Sequence, residues 1–142
     1  MAKIEVERTP DGGFVARNDR GAEVAFGGSE PGMFTPVELL LAALGGCNLV
    51  TVEPLTAKRG HRLVRLRAVV EAEKVKPNQL GTVTLTYDVE LPRGDEAAEQ
   101  LFAEVAHRVH ERHCTVSTAL RQETPVEIRL SADDRGEDHD HG

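Results

Sequence analysis

The side chains richest in chemistry are two cysteines, Cys47 and Cys114, and three histidines leading into the second of them, H-x-x-H-x-x-H-C from His107 to Cys114. A thiolate attacks peroxides and disulfides, and two thiols that meet in space can cycle between dithiol and disulfide. Each cysteine alone is equally a small buried hydrophobe. Their surroundings differ. Cys114 precedes a short predicted helix, and first-turn N–H groups with the positive dipole end favour a thiolate there. Cys47 lies in "AALGGCNLV", where its helical neighbours at three and four residues are Ala43, Leu44, Val50 and Thr51. None is charged, and burial alone raises a thiol's pKa. Local sequence therefore activates Cys114 and leaves Cys47 dependent on groups from elsewhere. The histidines offer a second chemistry, since imidazoles beside a thiolate suit zinc. Steps of three drift by about 60° each on a helix, so His107 and His110 can converge but all three cannot. The same two can instead sit near the thiols and tune them, or be solvated at a helix C-terminus, where they complement the dipole. No metal and no cofactor is expected.

The elements that must carry these residues are legible in outline. "AKIEVER", "FVAR" and "AEVAF", separated by "TPDGG" and "NDRG", predict an antiparallel strand meander. Thr35-Pro36-Val37-Glu38 then reads as a capping box with proline at the first helical position. The helix it opens should run to about Arg59, stop at Gly60 and kink at Pro54. Residues 39–52 are apolar almost all round except Asn48 and Thr51, which predicts a helix buried centrally or wedged into a dimer interface. Gly45-Gly46 costs about 1 kcal/mol per glycine in a helix, which implies close approach by a partner helix or a ligand. Residues 61–75 and 81–91 predict a hairpin with a bulge near Arg67. Residues 94–113 predict an amphipathic helix with Asp95 and Glu96 at its N-terminus, "CTVSTALRQ" a short helix, and 124–130 a closing strand. The chain reads as a single α+β domain over residues 1–131 with a charged, disordered tail at 132–142.

Composition narrows the partners. Net charge is −7 over 142 residues, with four Phe, one Tyr and no Trp. An acidic surface with few stacking groups is a poor match for nucleic acid. The start has no apolar signal core, and the run Leu39–Leu44 is too short to span a bilayer, so no membrane association and a cytoplasmic location are expected. A reducing compartment would keep both cysteines out of a structural disulfide.

The two cysteine contexts together, "TPVELLLAALGGC" and "HCTVSTAL", resemble the osmotically inducible protein C and organic hydroperoxide resistance (OsmC/Ohr) family, whose patterns are "NPxxLxxAAxxxC" and "CPVSxAL". The resemblance extends to the order of elements over roughly residues 1–130. It implies an α+β fold in an intertwined homodimer, with central helices in the dimer core and active sites at the interface. It also implies thiol-dependent reduction of small organic hydroperoxides in oxidative stress defence. Cys47 would attack and become a sulfenic acid, Cys114 would resolve it to a disulfide, and an external dithiol would reopen the bond.

One part of the family pattern is missing. Its peroxidases pair the attacking cysteine with a glutamate and an arginine. The glutamate position is Val37 here, and Glu38, one residue on, sits about 13 Å along the helix from Cys47 and on the opposite side. The loop before the helix, "VAFGGSEPGMF", has no arginine. Arg17, Arg20 and Glu38 are the candidates left for activating Cys47, each with an ordinary alternative: solvated arginines for the first two, the helix cap for the third. A second functional class stays open, a non-peroxidatic dimer that holds a small hydrophobic ligand in an interface cavity.

Overall fold

The computed structural model describes residues 2–58, 63–92, 94 and 96–131. Strands β1 (Ile4–Arg8), β2 (Phe14–Asn18) and β3 (Glu23–Phe26) form an antiparallel three-stranded sheet in that order. Its turns are closed by local chemistry. Gly12 and Gly21 take positive φ, and the Asn18 carboxamide accepts from the amides of Arg20 and Ala22 at 2.9 and 3.0 Å.

Helix α1 (Pro36–Lys58) opens on the expected capping box. The Thr35 amide donates to Glu38 Oε1 at 2.8 Å, and the Glu38 amide donates to Thr35 Oγ1 at 3.2 Å. The helix runs through Pro54, which offers the Val50 carbonyl no N–H; Val50 is well exposed, so that oxygen can turn to water. Gly60, the expected stop, lies outside the described residues. The stretch Pro36–Thr56, with mean hydropathy 1.5, reaches by length and composition what a bilayer-crossing helix requires, which corrects the reading from the shorter run Leu39–Leu44. One side of it is instead committed to protein, packed on a hairpin and on the two helices that follow.

That hairpin, β4 (Arg65–Lys76) with β5 (Gln79–Glu90), pairs regularly from Arg65↔Glu90 to Ala72↔Val83. The expected bulge near Arg67 is absent. Arg65 and Arg67 both bond Asp88 at 2.9 Å on one face, while Leu66 and Val89 reach the core from the other, so alternation holds there. The register shifts come further along, between Ala72 and Lys76. At Gly45 the helix approaches β4 so closely that a Cβ would lie 3.0 Å from Val70 Cγ2. The glycine pair thus admits a strand of its own chain at Gly45 rather than a partner helix, while a Cβ at Gly46 would meet nothing within 4 Å.

Helix α2 (Glu96–Arg108) is shorter than the predicted 94–113, and Asp95 lies outside the described residues. Val109–His113 form a π-helical turn, closed by the Cys114 amide on the Val109 carbonyl at 2.8 Å. Arg121 Nη2 secures it from outside by donating to the His110 and Glu111 carbonyls at 3.1 and 3.0 Å. Helix α3 (Thr115–Arg121) follows at once. The core lies where α1, α2, the π turn and the hairpin meet, around Val52, Phe102, Val105, Val109 and Cys114.

Residues 124–130 are not a closing strand. Among the described residues they join neither sheet, and Val126, Ile128 and Leu130 stand 83%, 90% and 60% exposed. Alternation specifies a strand with one apolar face, but a strand forms only against a free edge, and this segment reaches none within its own chain. The tail at 132–142 lies outside the described residues.

Candidate functional site

Both cysteines reach one place. Cys114 is fully buried at the N-cap of α3, Cys47 is half-buried on α1, and both are free thiols, Cys47 packed against the core cluster that holds Cys114. Burial pushes the Cys47 thiol up, and so does its bond to Cys114, against a weaker downward pull from the Val116 and Thr115 amides. Cys114 goes the other way. Burial acts to raise it, but the bond from Cys47 and those from the Ser117 side chain and from the Ser117 and Val116 amides together outweigh that and hold it low. The Ser117 amide donates to Cys114 Sγ at 3.4 Å. Of the two thiols, Cys114 is therefore the one held lower.

A polar chain continues from Ser117. Asn48, 1% exposed, donates from Nδ2 to the Leu44 carbonyl at 2.8 Å and to Ser117 Oγ at 3.0 Å. His110 Nδ1 lies 3.0 Å from the same Oγ. Beside the chain, Tyr87 meets Phe102 edge to face at 5.3 Å, and its buried hydroxyl finds no hydrogen-bond partner. Burial, and then the Cys114 charge, push the Tyr87 phenol up to about 12. Asn48, Tyr87, His107 and His110 open onto a cleft of about 720 Å³ between β5 and α2, whose other walls include Leu44 and Phe102. A smaller cavity of about 390 Å³, lined by Glu38, Gly46 and Val70, lies between α1 and β4.

The candidates for activating Cys47 are elsewhere. Arg17 is held on the exposed three-stranded sheet by Glu7 at 2.9 Å and Glu23 at 3.2 Å, and both carboxylates keep its guanidinium charged. Arg20 occupies the Asn18 turn, and Glu38 is engaged in the helix cap. Among the described residues no three His, Cys, Asp or Glu side chains converge on a metal position. Sequence reasoning missed Asn48, Ser117 and Tyr87 as members of the site. Their signals were a polar interruption in an apolar helix, a serine three residues after a cysteine, and the single tyrosine of the chain.

Comparison with known proteins agrees with this architecture. A protein of Mycobacterium tuberculosis (strain ATCC 25618 / H37Rv), itself uncharacterized, is 29% identical over 132 residues, which cover 92% of this chain and 96% of that protein. A hypothetical protein from Aquifex aeolicus VF5 superposes with a TM-score of 0.70 at 18% identity, covering 90% of this chain and 92% of the other. The OsmC-like protein from Mycoplasma pneumoniae gives 0.68 at 17%, over 87% and 89%. The organic hydroperoxide resistance protein OhrB of Bacillus subtilis gives 0.54 at 20%, over 92% and 97%. At these identities the structures speak for the fold alone. The family model described as OsmC-like protein matches residues 27–129, a span that takes in both cysteines and every element from α1 to α3, and the chain belongs to the OsmC-like family.

Proposed function

We propose that this protein is a homodimeric, thiol-dependent reductase of small organic hydroperoxides, with Cys47 attacking and Cys114 resolving. The observation that carries the reading is that two free thiols 67 positions apart in sequence come together in one core cluster, one half-buried on α1 and one buried at the start of α3. The family resemblance carried by the two cysteine motifs supports the choice of substrate, and the fold is shared with the organic hydroperoxide resistance protein OhrB of Bacillus subtilis.

The chemistry needs no arginine beside Cys47. Cys47 hands its proton to Cys114 and attacks the peroxide; an S–O bond forms, the O–O bond breaks, and the alkoxide takes that proton from Cys114 to leave as alcohol, which restores the Cys114 thiolate. The Cys47 sulfur, oxidised by two electrons, is then a sulfenic acid. The Cys114 thiolate attacks it, hydroxide leaves with a proton as water, and the disulfide closes. An external dithiol of the cytoplasm reduces it; no metal or cofactor takes part, nor does nucleic acid or membrane. Cys47 is the attacking sulfur because it is the more accessible of the two.

The homodimer has support of its own. Val37, Leu40 and Val50 on α1, and Val126, Ile128 and Leu130 beyond α3, are exposed apolar residues on elements that a second copy can cover. The test is consumption of cumene hydroperoxide with a dithiol as reductant. Turnover is expected from the wild type and not from Cys47→Ser, and one equivalent of peroxide should produce a Cys47–Cys114 disulfide visible by mass spectrometry of tryptic peptides. Equal turnover by Cys47→Ser would falsify the assignment. The cleft of about 720 Å³ favours a second reading, a non-peroxidatic dimer binding a small hydrophobic ligand. Two thiols that stay free under stoichiometric peroxide would favour it instead.

A further inference from the structure

We infer that Arg121 is a positioning residue for the resolving thiol. By holding the carbonyls of His110 and Glu111 it keeps the turn Val109–His113 in the wider π register, and that register delivers Cys114 to the core cluster beside Cys47. The inference rests on the reading of Cys47 and Cys114 as a redox pair.

The case begins with the residue that lies one turn beyond Val109. Val105 and Val109 are four apart, and both are buried. In an α register the next residue on that face is His113, four further on. In the structure His113 is exposed and Cys114, five further on, is fully buried. The π turn makes the exchange. The Cys114 amide donates at 2.8 Å to the carbonyl of Val109, five residues back, rather than to that of His110, four back. One extra residue in the ring changes the direction of the Cys114 side chain by about 100°, the rotation of one helical residue.

That choice leaves two carbonyls to account for. His110 O and Glu111 O are the groups that the Cys114 and Thr115 amides would reach in an α register. Arg121 Nη2 takes both instead, at 3.1 and 3.0 Å, with one hydrogen for each. A guanidinium at the C-terminal end of a helix also complements its dipole. Arg121 is the last residue of α3, whose first residue follows Cys114 directly, so the clamp closes a loop of the chain around the sulfur. The His110 imidazole is tied to the same helix through Ser117 Oγ at 3.0 Å, but that contact holds a side chain and leaves the carbonyl unmet. Without Arg121, His110 O is free for the Cys114 amide. The hydrogen bond moves from Val109 to His110, His113 turns toward the core, and Cys114 turns away from Cys47.

The test follows the turn and the thiols separately in Arg121→Met, which keeps an aliphatic stem and loses the donors, and in Arg121→Lys, which restores a cationic donor. Arg121 is exposed, so neither change disturbs the core. Scalar couplings across hydrogen bonds in the isotope-labelled full chain identify the acceptor of the Cys114 amide. It should be the Val109 carbonyl in the wild type, the His110 carbonyl in Arg121→Met, and in part Val109 again in Arg121→Lys. Diamide then closes the pair: the S–S bond forms as the two thiols give two electrons and two protons to the azo group, which becomes a hydrazine. Closure, followed by mass spectrometry of quenched samples, should slow about tenfold in Arg121→Met, as loss of a charge-assisted hydrogen bond implies, and recover in Arg121→Lys. A coupling that stays on Val109 in Arg121→Met overturns the inference, and so does an unchanged closure rate once the coupling has moved. Neither readout uses peroxide. If the coupling moves but diamide closes no bond in the wild type, the hold of Arg121 on the turn stands and the redox pair alone fails.

Discussion

At the scale of residues, the two thiols are set apart by what surrounds them. Cys47, with no charged helical neighbour, is the thiol pushed up, and Cys114, more deeply buried, is the one held low, with the Ser117 amide on its sulfur. Alkylation of Cys47 by iodoacetamide should therefore be slow near neutral pH and accelerate above the ordinary thiol range. In Cys114→Ala the upward push from the partner thiol is gone, so the rate at fixed pH should rise; a lower rate would contradict that push. Tyr87 offers an independent check. As the single tyrosine, it should titrate at about 12 in the folded protein against 10 for an ordinary phenol. The folded state holds this proton to higher pH than the unfolded state. The stability this contributes is complete below pH 10 and is lost as pH rises to about 12, which urea unfolding at graded alkaline pH will register as a falling midpoint.

At the scale of elements, α1 is specified where it begins. Thr35→Ala should cost about 1 kcal/mol in chemical unfolding by removing one arm of the capping box. Glu38→Gln, which leaves a neutral acceptor for the Thr35 amide, should cost less and, if the carboxylate serves only the helix cap it is seen to make, should leave the proposed hydroperoxide turnover unchanged. A loss of turnover there would return Glu38 to the site. The capping box, the strand meander, the hairpin and both later helices were legible because each has a local signature: turn residues, period-two alternation or helical spacing. What was not legible depends on distance or on a partner. Asn48 meets Ser117 across 69 residues of sequence, and no local pattern announces that pairing. The apolar residues 126, 128 and 130 describe a face and say nothing of the edge that receives it. The π turn at Val109–His113 breaks no propensity rule; it arises where Cys114 and α3 must be brought onto the core. The cysteines themselves were found by motif and the direction of their pKa shifts by local sequence, a helix start at Cys114 and uncharged neighbours at Cys47, while their meeting across the fold was given only as what the family resemblance implies.

At the scale of the whole molecule, one chain leaves much apolar surface in water. Val126 and Ile128, with Val50 on α1, are each more than two-thirds exposed. Sedimentation should give the mass of two chains, and Ile128→Asp paired with Val126→Asp should shift it toward one chain without unfolding α1 to α3; a double variant that stays dimeric would remove this stripe from the interface. The position of the lone tyrosine has a practical side as well. With no tryptophan in the chain, Tyr87 is its one useful fluorophore, and it packs against the core cluster that holds Cys114, one of the two sulfurs the proposed disulfide would join. The protein thus carries its own label: a change in intrinsic emission on adding oxidant or dithiol should follow the redox state of the pair in real time, with no dye attached.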